Sequence, residues 1–215
     1  MEHWSSGRGI KMKQGSNSDS GVRAPQYFEV ANSQGSSLPF QATTSDVRDA
    51  VRLLKREPEG ITASQATEAY CKRIFEPRKV SAYAYWGIVS RDGDRLKLTS
   101  LGWEIASRMA PEVEAYRAVL EATMPYHGAL VWTMEERLEV VTHLEIGAFW
   151  KEQYPDTVTG FDEEKIRSSA ASFFHICHAA EIGMLTVGRK GYPTQLFVYD
   201  EELRTYLGKS TGQVH

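Results

Sequence analysis

The spacing of apolar residues in the first half of the chain predicts three short helices. After Ser45, a residue that favours helix N-termini, apolar positions recur at i, i+3, i+4 and i+7: Val47, Ala50, Val51 and Leu54. Thr62 and Gln65 have the spacing of a capping box and predict a second helix over about 63–73. Pro77 suits the first turn of a third helix.

The apolar period then changes from that of a helix to that of a strand. Residues 88–91 and 95–98 are predicted to pair as a hairpin through Asp92-Gly93, a dipeptide that tolerates positive φ. Leucine and basic residues alternate in the second strand, so one face should meet a core and the other should be charged. A further helix is expected to begin at Thr99 or Ser100.

The second half has a similar but less regular pattern. It predicts a helix from Pro111, an apolar connection over 124–132 and a helix capped at Thr133–Glu136, in which Leu138, Val141 and Leu144 share a face. Asp162 is expected to cap a long amphipathic helix. Two strands, 184–187 and 195–199, and a closing helix, 200–207, should follow.

A weak internal repeat relates the two halves. Gly87-Ile-Val-Ser is matched by Gly183-Met-Leu-Thr, and each run stands at a predicted helix-to-strand junction. We therefore expect a mainly helical α+β protein built from two modules with small β-hairpins. The predicted organisation is a flexible Ser/Gly-rich tail (1–44), a first module (45–110), a second module (111–208) and a C-terminal tail (209–215).

Charge is distributed unevenly between these modules. The 215 residues carry a formal net charge of −3. Residues 72–97 contain seven basic and three acidic side chains, a balance of +4. Residues 104–156 contain ten acidic and four basic side chains, a balance of −6. Because phosphate contacts need local Lys and Arg, only the first module has the charge expected of a nucleic-acid surface.

The run Tyr-Trp-Gly-Ile-Val-Ser-Arg-Asp-Gly-Asp-Arg-Leu-Lys-Leu-Thr-Ser-Leu-Gly, which begins at Tyr85, resembles the segment from third helix to wing in winged helix-turn-helix proteins. The resemblance covers residues 45–108. Two later runs, 116–123 and 170–185, resemble more loosely a bacterial domain family of unknown function built from paired winged helices. These resemblances imply two winged-helix modules.

The superfamily resemblance implies a DNA-binding role, with the third helix in the major groove and the wing beside the backbone. On this chain it implies nucleic-acid contacts from the helix residues Arg78, Lys79, Ser81 and Tyr85, and from the wing residues Arg91, Arg95 and Lys97. The second wing offers Arg189 and Lys190. Arg and Lys would contact phosphates, and Ser81 and Tyr85 would lie nearer base edges or sugars. The alternative is that all are solvated polar positions.

Double-stranded DNA is thus the expected partner of a non-enzymatic, regulator-like protein. The second module, with its apolar linker and acidic approach, is expected to bind a second copy or a protein partner. The competing hypothesis is an interaction scaffold or adaptor that uses its winged helices without nucleic-acid contact.

Other chemistry finds little support. His175 and His178 could share a helical face, with Cys177 between them, but they supply too few ligands for a structural metal site. No catalytic or phosphate-cradling motif occurs, so we expect neither enzymatic activity nor a cofactor. The two cysteines, Cys71 and Cys177, are expected to be reduced thiols of a cytoplasmic protein. No apolar run approaches the roughly 20 residues of a membrane span.

Overall fold

The computed structural model describes residues 37–69, 72–107 and 111–211. Over these ranges the chain is α+β and mainly helical, as predicted, with two separate three-stranded antiparallel sheets. No helix in these ranges is long and apolar enough to cross a membrane. The same order of elements occurs twice along the chain: a helix, a strand, two helices and two strands.

The first set comprises α1 (Thr44–Leu54), β1 (Ile61–Thr62), α2 (Ala63–Ala69), α3 (Pro77–Tyr85), β2 (Val89–Asp92) and β3 (Arg95–Leu98). Two helices follow it, α4 (Ser100–Ser107) and α5 (Pro111–Ala122). The second set comprises α6 (Met124–Glu135), β4 (Val140–Thr142), α7 (His143–Gln153), a 3-10 turn (Pro155–Val158), α8 (Glu163–Ala179), β5 (Gly183–Thr186) and β6 (Gln195–Val198). The last helix, α9 (Asp200–Thr211), continues past the predicted module end at residue 208.

The two sheets share one topology and one register. The third strand of each set is central, giving the orders β1-β3-β2 and β4-β6-β5. Ile61 lies opposite Leu96 in the first sheet, and Val141 lies opposite Leu196 in the second. All four side chains are buried, so the equivalent strands turn equivalent faces towards the core.

The helix after the first strand begins in the same way in both sets. The Thr62 hydroxyl accepts a hydrogen bond from the backbone amide of Gln65, and the side-chain oxygen of Gln65 accepts one from the backbone amide of Thr62. These two bonds confirm the predicted capping box. Thr142 and Glu145 form the equivalent box in the second set. Each box satisfies backbone amides that the first turn of a helix leaves unpaired.

The cap of the first helix is two residues earlier than predicted. Thr43, rather than Ser45, accepts a hydrogen bond from the Asp46 amide at 3.2 Å. The Asp46 carboxylate accepts in return from the Thr43 amide and hydroxyl. Ser45 lies inside α1 and is exposed.

The prediction for residues 124–142 was wrong. Residues 124–132 form most of α6 instead of a connection, and Thr133 lies within that helix, where its hydroxyl donates to the Ala129 carbonyl at 2.7 Å. Arg137 then adopts a left-handed φ of 54° and ends the helical path. Val141 belongs to a strand, because its pairing with β6 places it in the core.

The structure contains an internal repeat, but its equivalent positions are not those suggested by the match between Gly87 and Gly183. Gly87 corresponds to Glu181, because each follows a helix C-cap and has a left-handed φ, 66° and 58° respectively. The next amides, of Ile88 and Ile182, each donate to the carbonyl of the fifth residue before them at 2.9 and 3.0 Å. Gly183 is instead the first residue of β5.

The segment just before α1 belongs to the packed structure, although the sequence analysis placed it in the N-terminal tail. Leu38 and Ala42 are buried. The Gln41 and Ala42 amides donate to the Ser168 and Ser172 hydroxyls of α8 at 3.0 and 3.3 Å. These contacts attach the segment to the second set of elements. The first 36 residues of the predicted tail lie outside the described part of the chain.

One hydrophobic cluster runs through both sets of elements. The indole of Trp86, after α3, donates to the Tyr126 hydroxyl in α6 at 3.3 Å. The Tyr126 ring also contacts the rings of Trp150 and Phe173, with centroids 5.8 and 4.9 Å away. The two units therefore share their core, whereas the predicted boundary at residue 110 falls among the undescribed residues 108–110.

Candidate nucleic-acid interface

The helix α3 is anchored by its apolar side and its ends. Pro77 occupies the first turn, where its missing amide hydrogen costs no helical bond. Val80 and Tyr83 are buried, and the Tyr83 hydroxyl donates to the Ile74 carbonyl at 3.0 Å. These contacts fix which face of α3 meets solvent.

Lys79 is not on that solvent face. Its side chain is 9% exposed, and its Nζ lies 2.8 Å from Oδ1 of the equally buried Asp46. Burial disfavours the charged form of Asp46, but the hydrogen bonds from Lys79 and Thr43 outweigh it, so the pKa of Asp46 lies below its ordinary value. The Lys79 ammonium group joins α3 to α1 in this structure, so it is not presented to solvent as the predicted phosphate contact would require.

Arg78 and Ser81 are the exposed predicted residues of α3. The Arg78 side chain is 47% exposed and contacts the Glu76 carboxylate at 2.5 Å. The Ser81 hydroxyl donates to the Pro77 carbonyl at 2.9 Å, one turn earlier. Tyr85 is half-buried against the core, and burial raises its pKa to about 12. It presents only part of its ring to solvent.

The first hairpin forms as predicted, with a shift in its turn. Asp92 lies opposite Arg95, so the turn residues are Gly93 and Asp94 instead of Asp92 and Gly93. Gly93 has a φ of 62°, whereas Asp94 is not in the left-handed region. Glycine at the first central position is the requirement of a type II′ turn, whose twist suits a hairpin.

The three predicted wing cations lie on two faces of this hairpin. Arg91 lies opposite Leu96, so it is on the side of the sheet that carries the core and the helices, yet it is exposed. Arg95 and Lys97 alternate with that leucine and lie on the other side. Arg91 is therefore the wing cation on the same side as α3.

Two of these cations have partners within the first set of elements. The Arg95 guanidinium donates from Nη1 to the Gly60 carbonyl at 2.9 Å. The Lys97 ammonium lies 3.0 Å from the Asp92 carboxylate, which is itself 72% exposed. An ion pair at the surface such as Lys97–Asp92 contributes little to stability, about 1 kcal/mol or less, and Lys97 can exchange its carboxylate partner for another anion.

Arg189 and Lys190 are exposed in the loop between β5 and β6. The counterpart of α3 is α8, and its serines Ser168 and Ser172 accept hydrogen bonds from the segment before α1. That segment therefore covers part of α8. Arg167 and His178 on the same helix remain exposed.

A further basic surface was missed in the sequence analysis. Arg48 and Arg52 on α1, with Lys55 just after it, line a groove of about 570 Å³ whose apolar wall includes Ile105 on α4. The Arg48 guanidinium is held by Glu112 at 2.6 Å. These cations recur at i, i+4 and i+7, a helical spacing that places them on one face and that is already present in the sequence.

The histidines near the end of α8 do not assemble into a ligand cluster. The His178 ring nitrogen Nδ1 lies 3.1 Å from the Gly183 carbonyl. Burial, helped by the nearby His178, lowers the pKa of His175. Cys177 is fully buried, which raises the pKa of its thiol. No group of three or more potential ligands is present in the described ranges, which do not include Cys71.

No protein-family model matches this chain, and comparisons with curated proteins and with solved structures give no match.

Proposed function

We propose that the protein is a non-enzymatic, regulator-like DNA-binding protein that contacts duplex DNA through α3 and the first hairpin, and that its two sets of elements are winged-helix modules. The observation that carries this proposal is the position of Arg91, exposed on the helix side of a hairpin that follows α3 directly. Helix and wing can then approach one duplex together.

Charge and exposure support DNA contact by α3 and the first hairpin. Arg78 and Ser81 are exposed on α3, and Arg95 and Lys97 extend the basic charge to the far side of the hairpin. The acidic partners of Arg78 and Lys97 are themselves partly exposed, so a phosphate can replace them without stranding a buried carboxylate. Lys79 takes no part, because its partner is buried.

The geometry favours a single DNA surface on each chain. The segment before α1 is hydrogen-bonded to Ser168 and Ser172 of α8, the counterpart of α3, so we assign no groove-binding helix to the second set of elements. In the proposed complex α3 lies in the major groove, where Ser81 is nearest to base edges and Arg78 is near the backbone. Arg91 contacts an adjacent phosphate from the wing.

The test is the salt dependence of binding to mixed-sequence duplexes, followed by fluorescence anisotropy. Each phosphate contact removed should lower the magnitude of the slope of log K against log salt by roughly 0.9. Arg78→Ala combined with Arg91→Ala should therefore weaken binding and flatten the slope by almost two units. Arg204→Ala, which removes an exposed cation of α9, is the matched control and should leave both unchanged. Absence of binding to duplex pools at low salt would contradict the proposal.

The second candidate function is that of a protein-interaction scaffold or adaptor without nucleic-acid contact. The observation that favours it is the group of exposed apolar side chains on the second sheet, which the first sheet lacks. Affinity capture separates the two candidates. A stoichiometric protein partner that resists nuclease, with no DNA retained, would favour the scaffold.

A further inference from the structure

The second sheet has an exposed row of apolar side chains on its face away from the core. Val140 and Met184 each lie directly opposite Phe197 on the central strand, so the three side chains share one face. They are 36%, 45% and 37% exposed, respectively. The other face of these strands carries the buried Val141 and Leu196.

The first sheet shows that this fold does not require apolar residues there. With the buried leucines of the central strands aligned, Lys97 corresponds to Phe197 and Ser90 corresponds to Met184. Six of the nine large apolar side chains that are exposed in the described part of the chain belong to the second sheet, its loop or its end: Val140, Met184, Val187, Tyr192, Phe197 and Tyr199. Such a concentration indicates an interaction surface.

The two ends of this sheet carry opposite charges. The loop at its tip, residues 187–194, contains the exposed Arg189 and Lys190 and no acidic residue. At the opposite end, the exposed residues of 135–139 that lead into β4 include three glutamates and one arginine. The exposed Glu181 precedes β5 at that same end. The exposed row of Val140, Met184 and Phe197 lies between a basic tip and an acidic base.

We propose that this face binds a second copy of the chain in a two-fold symmetric dimer. When the two sheets face each other with their central strands antiparallel, the basic tip of each copy lies beside the acidic base of the other. The apolar side chains between these ends are then removed from water. A two-fold interface uses one self-complementary surface twice, which a sheet with oppositely charged ends provides. Dimerisation is independent of the proposed DNA binding.

The first test measures the mass of the full-length protein in solution, without nucleic acid, by light scattering across a dilution series. The expected mass is twice the 24.2 kDa of one chain. Met184→Ser combined with Phe197→Lys installs the residues that the first sheet has, and it should raise the dissociation constant roughly tenfold or more. Met124→Lys changes an exposed apolar residue outside the sheet and should leave the dimer intact. A monomeric wild-type protein, or a dimer unaffected by the double substitution, would overturn the proposal.

Charge exchange tests the orientation of the two copies. Arg189→Glu with Lys190→Glu reverses the tip, and Glu139→Lys with Glu181→Lys reverses the base. Each reversed protein should dimerise more weakly alone, because like charges then meet. Mixing the two should restore a dimer of one copy of each, since both tip-to-base contacts become attractive, and native mass spectrometry distinguishes this heterodimer. Failure of the mixture to form it would overturn the two-fold arrangement.

Discussion

Replacing Lys79 should destabilise the protein without acting on a DNA surface. In Lys79→Met the ammonium group that lies 2.8 Å from Oδ1 of Asp46 is lost, while the carboxylate remains in a site where it is only 9% exposed. The two hydrogen bonds from Thr43 go to the other oxygen, Oδ2, so Oδ1 loses its donor. Removing one partner of a buried ion pair costs roughly 3–5 kcal/mol, and the remaining Thr43 bonds place this case near about 3 kcal/mol.

This loss is measured as the free energy of unfolding in urea at neutral pH, with a corresponding fall in Tm of roughly 6–12 °C for a chain of this size. Because the folded-state pKa of Asp46 is depressed, its contribution is present above its unfolded pKa and is lost as the pH falls through the folded pKa. The difference between wild type and Lys79→Met should therefore shrink in acid.

Arg78→Met is the matched control, since the neighbouring side chain is 47% exposed and its loss should cost about 0.5 kcal/mol or less. The order of the two effects should reverse in DNA binding. Arg78→Met should weaken the complex, whereas folded Lys79→Met should not. A cost of less than about 1 kcal/mol for Lys79→Met would refute the reasoning from the buried pair.

Two further predictions concern stability. The folded-state pKa of His175 is depressed, so the wild-type protein should lose stability as the pH falls from about 7 through that pKa. His175→Gln should flatten this part of the curve of unfolding free energy against pH, measured by urea titration. Parallel curves for the two proteins would contradict this prediction. In Gly102→Ala the new methyl group would overlap the Ile88 carbonyl oxygen, at a cost of about 1–3 kcal/mol in thermal unfolding. Gly208→Ala, in a helix with open space around it, should instead stabilise by up to about 1 kcal/mol, and equal effects of the two would contradict the overlap.

The elements predicted best are those specified by neighbouring residues. Pro77 marks the start of α3, and the box of Thr62 and Gln65 starts α2. The helix α6 was missed because its apolar residues do not form a single stripe, and because Thr133 has a capping spacing although it lies inside the helix. Local patterns therefore failed where a helix is buried on several sides, since burial removes the contrast on which periodicity depends.

The candidate site was predicted in outline only. Alternation in the hairpin correctly separates Leu96 from Arg95 and Lys97. It could not show that Arg91 lies on the helix side and remains exposed, because exposure depends on how far the hairpin extends past the core. Helical spacing likewise could not exclude Lys79, whose carboxylate partner is 33 residues earlier.

By itself, the sequence determined the α+β class, the order of most helices and the first hairpin, because caps, turns and hydrophobic period act over a few residues. Only the tertiary structure decided which surfaces are free. The segment before α1 covers part of α8 through two hydrogen bonds whose partners are separated by 127 and 130 positions in the chain. The exposed apolar row joins Val140, Met184 and Phe197 from three different strands. Such surfaces arise from pairing between distant segments, which a local pattern does not encode.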